Sequence, residues 1–278
     1  MPERLAASTN SYHTHSLEDA LAGIAAAGLR SVELASVPGW TEHVSRNADD
    51  EEIQTLKDLL ARYDLTPVNL SGHSDLVTDE GVDEFRKALD LCRRLGIAYV
   101  TTSTGGHDAS SAGSLDEQRE AFLARIGGLA DEAAADGITI CLETHGGLLA
   151  TGAISADLIR QIDKPNVGIT YDPGNVIFYG DTRPEEDIAS AVEFIKTLHA
   201  KDQIGGVGKW HFPTIGTGEV DYPRILATLD AAGFDGPCAI EIEFQGDPFP
   251  SLAEVDRAMA DSVRYLRPLV NEGAGGRG

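Results

Sequence analysis

Basic side chains are scarce in this sequence: 22 lysines and arginines stand against 45 aspartates and glutamates in 278 residues, a formal net charge of −23. Such a charge repels phosphate backbones and anionic membrane surfaces, and we find no basic run that would override it. Nucleic acid and membranes are therefore not expected as partners.

Cysteine is scarce as well. Cys92, Cys141 and Cys238 lie inside apolar segments, without the close spacing of thiolate metal sites, and we expect them to be reduced core residues. The sequence also lacks an apolar run long enough to span a bilayer, and its first five residues lack the features of a signal peptide. These absences predict a cytoplasmic protein.

Strand-like and helix-like segments alternate eight times, which is typical of a parallel sheet with crossover helices. Plausible helix starts are marked by Ser16, Ser114 and Ser251, each followed three residues later by an acidic residue. The predicted strands span residues 5–8, 31–35, 66–71, 98–104, 138–144, 167–172, 195–201 and 237–244.

Two architectures fit this alternation, a closed barrel and a doubly wound open sheet. The open nucleotide-binding sheets carry a glycine-rich loop after the first strand, but residues 8–13 contain no glycine. The length also suits one barrel. We therefore predict a single (β/α)8 TIM barrel over residues 1–270, followed by a disordered glycine-rich tail at 271–278.

Acidic and imidazole groups fall at the predicted C-terminal ends of the last four strands, where TIM barrels place their active sites. Glu143, Asp172 and His199 end three of these strands with inward parity, and Glu241 and Glu243 share that parity at the eighth. Burying three carboxylates together is costly unless a cation compensates them.

This arrangement predicts a site for one divalent cation. Oxygen-rich ligation with one imidazole favours Mn²⁺, with Mg²⁺, Co²⁺ and Zn²⁺ as alternatives. A register error of one step along that face, which is two residues, would exchange the roles of Glu241 and Glu243, so the residues alone leave the fourth ligand open.

Several segments resemble, in the same order, those of the xylose isomerase-like TIM barrel superfamily, which includes sugar isomerases and epimerases, dehydratases and endonuclease IV. The segments are Leu-Glu-Thr-His-Gly-Gly (142–147), Tyr-Asp-Pro-Gly-Asn (171–175), His-Ala-Lys-Asp (199–202), residues 210–222 and Ala-Ile-Glu-Ile-Glu (239–243). The resemblance covers essentially the whole chain and implies that the metal ligands are Glu143, Asp172, His199 and Glu241.

One departure separates the chain from the ketose 3-epimerases of that superfamily. Their second glutamate, six positions after the first ligand, is replaced by Leu149, and their arginine six positions after the ligand histidine is replaced by Gly205. His145 instead resembles a histidine of dehydratase-like relatives.

Further candidate residues lie on the predicted active-site face. His145 is interpreted as a general base or as a donor to a metal ligand, and Lys201 as an oxyanion contact or the partner of Glu243 or Asp202. Glu33 is interpreted as a substrate contact or as the partner of an arginine. The predicted catalytic set is Glu143, Glu241, His145 and Lys201, and the predicted substrate contacts are Glu33, His73, His107, Asn175, Trp210 and His211.

The leading functional hypothesis is a metal-dependent isomerase or epimerase that acts on a sugar or keto sugar through an enediolate. The alternative is a lyase that shares the first step, such as an inosose-type dehydratase or a 3-keto-glycoside eliminase. A nuclease resembling endonuclease IV and a non-catalytic sugar-binding barrel are weaker alternatives. The expected partner is a small carbohydrate, and the resemblance adds a homodimer or homotetramer.

Overall fold

The computed structural model describes residues 3–105 and 113–275, and side chains up to residue 270. Within these residues, eight parallel strands pair in sequence order, and the first pairs with the last to close a barrel. The single (β/α)8 fold is therefore confirmed. The strands are β1 (Leu5–Ser8), β2 (Ser31–Ala35), β3 (Thr66–Ser71), β4 (Tyr99–Thr102), β5 (Thr139–Glu143), β6 (Val167–Tyr171), β7 (Ile195–Ala200) and β8 (Cys238–Ile240).

The last strand is shorter than the alternation predicts. β8 ends at Ile240, where its pairing with β1 ends at Ala7 and its pairing with β7 ends at Ala200. The chain beyond it turns to other partners, since the Ile242 N–H donates to the Ser11 hydroxyl at 3.0 Å. The carboxylates after β8 are consequently carried by a loop that rises from the barrel rim.

Helices surround the barrel, and the predicted capping signals are present. The Ser16 hydroxyl accepts from the Asp19 N–H at 3.1 Å, and Ser114 pairs with Glu117 in the same manner. None of the helices within the described residues is both long and apolar enough to cross a membrane. The helices are α1 (Leu17–Ala26), α2 (Asp50–Arg62), α3 (Asp79–Leu95), α4 (Leu115–Ala135), α5 (Gly152–Ile162), α6 (Pro173–Gly180), α7 (Pro184–Asp187), α8 (Tyr222–Ala231) and α9 (Leu252–Gly275).

The two faces of the strands differ in chemistry. Apolar residues such as Ile140 and Leu142 are fully buried in the main hydrophobic core. The barrel interior is polar instead: the hydroxyls of Thr101 and Thr170 lie 2.8 Å apart, and those of Thr170 and Thr197 lie 2.6 Å apart. Strand parity thus directs the polar side chains of neighbouring strands toward one another.

Candidate functional site

Four side chains converge above the threonine layer, each at or just beyond the end of a strand. Glu143, Asp172, His199 and Glu241 are all buried, and one ligand atom from each lies within 4.8 Å of the others. His199 Nδ1 lies 2.7 Å from Glu143 Oε1 and 3.5 Å from Glu241 Oε2. Groups that are distant in sequence therefore meet in one small volume, as the strand parity predicts.

The orientation of His199 depends on Glu33, which has no exposed surface. Glu33 Oε2 lies 2.9 Å from His199 Nε2 and accepts from Asn69 Nδ2 at 2.5 Å. Glu33 does not line the cavity described below, and its partners are an imidazole and an amide, so neither predicted role, substrate contact or arginine partner, matches its position. It instead directs the His199 Nδ1 atom toward the carboxylates, as second carboxylates do in many histidine–metal sites.

Lys201 is a buried cation beside these carboxylates. Its Nζ lies 3.0 Å from Glu241 Oε2, 2.8 Å from Glu243 Oε2 and 3.6 Å from Asp172 Oδ2, and 4.7 Å from the centre of the Phe212 ring. Of the two partners expected for Lys201, Glu243 is the one it contacts. Both glutamates contact Lys201, but it is Glu241 that joins Glu143, Asp172 and His199 in the cluster, so the geometry favours Glu241 over Glu243 as the fourth ligand.

Mutual electrostatics keep most of this cluster charged. Burial opposes ionisation of Glu143, but His145 and His199 hold its pKa well below its usual range. Burial likewise opposes the charged forms of His199 and Lys201, yet the surrounding carboxylates raise the pKa of both well above their usual values. Asp172 is the exception, because burial and the neighbouring carboxylates raise its pKa well above the usual range.

The donor atoms of the cluster fit a divalent cation. Asp172 Oδ1 accepts from the Asn175 N–H at 2.9 Å, but its buried Oδ2 has no hydrogen-bond partner within the described parts of the chain. The Lys201 ammonium, at 3.6 Å, is beyond hydrogen-bond reach of it, and a buried carboxylate oxygen without a hydrogen bond is rare in folded proteins. A cation held by three carboxylates and one imidazole would satisfy this oxygen and remove the repulsion that raises the Asp172 pKa.

Two further imidazoles, those of His145 and His73, face the Glu143 carboxylate. His145 Nδ1 lies 2.9 Å and His73 Nε2 lies 3.3 Å from Glu143 Oε2, and the two rings are perpendicular at 5.6 Å. Leu149, at the position of the second epimerase glutamate, is fully buried, and its carbonyl accepts the His145 N–H at 3.1 Å. His145 therefore stands beside the Glu143 carboxylate, a position compatible with either of its two predicted roles.

A cavity of about 310 Å³ opens above these groups. Of the predicted substrate contacts, His73, Asn175 and Trp210 line it, whereas His211 does not, and His107 lies outside the described residues. The lining residues are Asn10, Val37, Trp40, Ser71, His73, Glu143, His145, Asn175, Tyr179, Lys201, Trp210, Glu241 and Glu243.

The position of His211 follows from the local chain direction. Trp210 and Phe212 pack on each other at 5.2 Å, and Phe212 bridges to Phe244 in extended conformation. Neighbouring side chains of an extended segment point to opposite sides, so His211 points away from the cavity, beside Gln245.

Aromatic side chains form the cavity rim. Trp40 and Trp210 are 48% and 38% exposed, and their rings meet edge to face at 6.3 Å. Asp202 supports the loop that carries Trp210, since its carboxylate accepts the backbone N–H groups of Gly216, Gly218 and Val220. The Asp202 carboxylate is therefore a loop anchor and not a partner of Lys201.

Sequence reasoning missed Asn10 and Tyr179. Asn10 donates to Glu241 at 2.9 Å and to Glu243 at 3.1 Å, and it accepts from Trp40 Nε1 at 3.1 Å. Its place just after the first strand was a usable signal, because every βα loop of a barrel faces the site. Tyr179 lines the cavity because it lies in the short helix α6, which begins at the site directly after Asp172. No sequence pattern indicated that Tyr179 would face the cavity.

The fold, the strand-end cluster and the cavity together invite comparison with known families. A family model for the xylose isomerase-like TIM barrel matches residues 21–269, which include all four clustered side chains. The chain belongs to the xylose isomerase-like TIM barrel family.

Several relatives of this xylose isomerase-like barrel carry epimerase names. It is 27% identical over 241 residues to the L-ribulose 3-epimerase of Methylomonas sp. (strain DH-1), covering 80% of this chain and 77% of that protein. It is also 27% identical over 190 residues to the L-ribulose-5-phosphate 3-epimerase UlaE of Salmonella heidelberg (strain SL476). That alignment covers 68% of this chain and 65%, slightly less than two thirds, of the relative.

Solved structures share the barrel over nearly its whole length. A D-psicose 3-epimerase crystallised in the presence of D-fructose superimposes with a TM-score of 0.78 at 16% identity, over 96% of this chain and 99% of that one. A D-tagatose 3-epimerase-like protein gives 0.77 at 20% identity, over 98% and 100%. At these identities the likeness establishes the fold.

Proposed function

We propose that this xylose isomerase-like barrel is a divalent-metal-dependent isomerase or epimerase of a sugar or keto sugar. The observation that carries the proposal is the cluster of four buried ligand atoms at the floor of a cavity. The epimerase names of the relatives support the reaction class. The residues that would hold the ion are Glu143, Asp172, His199 and Glu241, and Mn²⁺ is the ion that we expect.

When bound, the cation would supply positive charge beside the carbonyl and hydroxyl oxygens of the sugar, which acidifies the neighbouring C–H bond. The protein itself then has to move a proton. Glu143 ends β5, Glu241 lies in the loop that follows β8, and both line the cavity. One carboxylate can take the proton from carbon to form the enediolate, and the other, once it has acquired a proton from solvent, can deliver that proton to a different face or carbon.

Before the ion binds, neighbouring groups keep these carboxylates ionised. Burial opposes ionisation of Glu241, but Lys201 and His199 lower its pKa below its usual value. His145 and His199 do the same for Glu143. Both groups therefore stand ready as bases near neutral pH, while Asn10 orients Glu241 through its amide.

A carbon–oxygen lyase with the same first step is the second candidate. It is favoured by His145, a titratable group 2.9 Å from Glu143, together with the buried Leu149 where 3-epimerases have a carboxylate. An imidazole there could protonate a leaving hydroxyl or alkoxide of the enediolate instead of returning a proton to carbon.

The two candidates differ in what becomes of the substrate in D₂O. Purified protein with Mn²⁺ is incubated with ketoses, 3-keto sugars and inososes, and the products are followed by NMR and mass spectrometry. Deuterium on the α-carbon without loss of water or aglycone supports the isomerase, whereas release of a leaving group supports the lyase. Glu143→Gln should abolish either reaction. The control is Glu185→Gln, which should leave the reaction unchanged because Glu185 is a buried carboxylate that does not line this cavity. Absence of exchange with every substrate in Mn²⁺-loaded protein would refute both.

A further inference from the structure

The charges that line the cavity limit the sugars it can accept. Three carboxylates and one ammonium group, Lys201, are the side chains there with a fixed charge, among the described residues. Lys201 is 3% exposed and already lies within 3.0 Å of both Glu241 and Glu243. It is therefore committed to neutralising the wall of the site and has little capacity left for an anionic ligand.

The places where a TIM barrel usually binds phosphate are acidic here. Phosphate sites commonly lie in the loops after the seventh and eighth strands and use the N terminus of a short extra helix. In this chain, the loop after β8, residues 241–251, contains Glu241, Glu243 and Asp247 and neither lysine nor arginine. Within it, the structure shows no helix before α9.

Lys209 and the N terminus of α6 are two further sources of positive charge near the site, and neither is available to the cavity. Lys209 lies in the loop after the seventh strand, but it does not line the cavity. Its side chain packs against Gly205, so closely that a Cβ added to Gly205 would lie 2.8 Å from Lys209 Cγ. The N terminus of α6 opens at the site, but Asp172 already caps it. Residues 106–112, which follow the fourth strand, contain no lysine or arginine in their sequence.

Neutral hydroxyls, by contrast, find suitable partners. Asn175 is 2% exposed and lines the cavity, and its Nδ2 has no hydrogen-bond partner among the described residues. A buried donor of this kind is normally satisfied, so it indicates a hydroxyl or carbonyl oxygen of the ligand. Trp40 and Trp210 at the rim offer flat apolar surfaces suited to the C–H face of a sugar ring.

From this charge distribution we propose that the site takes uncharged, unphosphorylated sugars and rejects their phosphate esters. The inference rests on the proposed sugar isomerase function and narrows its substrate class. A phosphate carries close to two negative charges, and placing it against Glu243 and the aromatic rim in a poorly solvated cavity is costly. The relatives include both a free-sugar and a sugar-phosphate epimerase by name, so family membership does not decide between the two.

The experiment compares matched ligand pairs on Mn²⁺-loaded protein: L-ribulose with L-ribulose 5-phosphate, and D-fructose with D-fructose 6-phosphate. Binding is measured by calorimetry and thermal shift, with free Mn²⁺ held constant against chelation by phosphate, and deuterium exchange is followed in parallel. We expect at least one free ketose to bind at least about 100-fold more tightly than its ester, since like-charge contacts cost several kilocalories per mole.

Two variants with the same change in net charge test the cause. Glu243→Gln removes a carboxylate from the cavity wall and should narrow the preference for the free sugar by about 10-fold. Asp181→Asn is the control, because Asp181 is exposed, does not line the cavity and has a left-handed backbone (φ 48°) that asparagine tolerates. It should leave the preference unchanged.

Equal or tighter binding of the phosphate esters, or a preference unaffected by Glu243→Gln, would overturn the inference. Exchange on free and phosphorylated ketoses at equal rates would overturn it while leaving the isomerase proposal standing. If none of the four compounds binds, the inference is overturned, and the exchange experiment on 3-keto sugars and inososes decides the proposed function separately.

Discussion

Replacing Glu33 by Gln tests whether a residue outside the cavity controls the metal site. The substitution can keep an oxygen at the position of Glu33 Oε2, which accepts from His199 and Asn69. The new NH₂ group then replaces Oε1, which has no hydrogen-bond partner among the described residues, so no existing hydrogen bond is lost. The fold should therefore persist. What disappears is the negative charge that makes the His199 imidazole a stronger ligand.

The expected magnitude follows from that role. Loss of a carboxylate behind a ligand histidine typically weakens metal binding by about 10- to 100-fold, which is about 1.4–2.7 kcal/mol. At a Mn²⁺ concentration 100 times the wild-type Kd, the ion should stabilise the wild-type fold by about 2.7 kcal/mol. At that concentration the Glu33→Gln variant should gain only about 0.4–1.4 kcal/mol.

Isothermal titration with Mn²⁺ and chemical unfolding with and without the ion measure both quantities. The matched control is Glu185→Gln, which removes another buried carboxylate that does not belong to the cluster or line the cavity, and which should leave Mn²⁺ binding unchanged. A folded Glu33→Gln protein that binds Mn²⁺ with wild-type affinity would refute the role assigned to Glu33.

Three further predictions concern pH, the rim loop and a glycine. Since neighbouring carboxylates raise the pKa of His199, cation binding must release its proton, so Mn²⁺ affinity should rise with pH from about 6 to 8. Calorimetry in buffers of different ionisation enthalpy should count about two released protons, one from His199 and one from Asp172, and a count near zero would contradict this. Asp202→Asn replaces a carboxylate oxygen that accepts backbone N–H groups, so it should lower the free energy of unfolding by about 2–3 kcal/mol in denaturant titrations. A change smaller than about 0.5 kcal/mol would exclude the anchoring role. Gly146→Ala should lower the free energy of unfolding, measured in the same titrations, by about 1–3 kcal/mol, because the φ of Gly146 is +73° and the added Cβ would lie 2.9 Å from the Tyr179 ring. The control is Gly128→Ala in α4, whose added Cβ meets nothing within 4 Å and which should not lower the free energy of unfolding.

Much of the fold could be predicted because its signals are local. β-Branched residues between turn signals mark the strands, and serine–acid pairs such as Ser16 with Asp19 mark helix starts, as the hydrogen bonds confirm. The length of β8 could not be predicted in this way. Residues 241–244 keep an alternating pattern, but the pairing of β8 with β1 and β7 ends at Ala7 and Ala200, and a strand persists only as far as it is paired.

The candidate site shows the same division. Strand parity was enough to predict that Glu143, Asp172 and His199 meet, because inward-facing side chains at the same end of neighbouring barrel strands share the barrel interior. The role of Glu33 was not accessible in this way. Its contact with His199 joins β2 to β7 across the barrel, a distance in space that the alternation of each strand does not encode.

The amino-acid sequence by itself determined the barrel, its acidic character and the set of strand ends that carry ligand groups, since each depends on composition or on the period of a single segment. Only the tertiary structure decided between Glu241 and Glu243 as the member of the cluster, turned His211 away from the cavity, and placed Asn10 and Tyr179 in its wall. Those outcomes depend on how loops from different strands pack against one another above the rim, and such packing is a property of the folded chain as a whole.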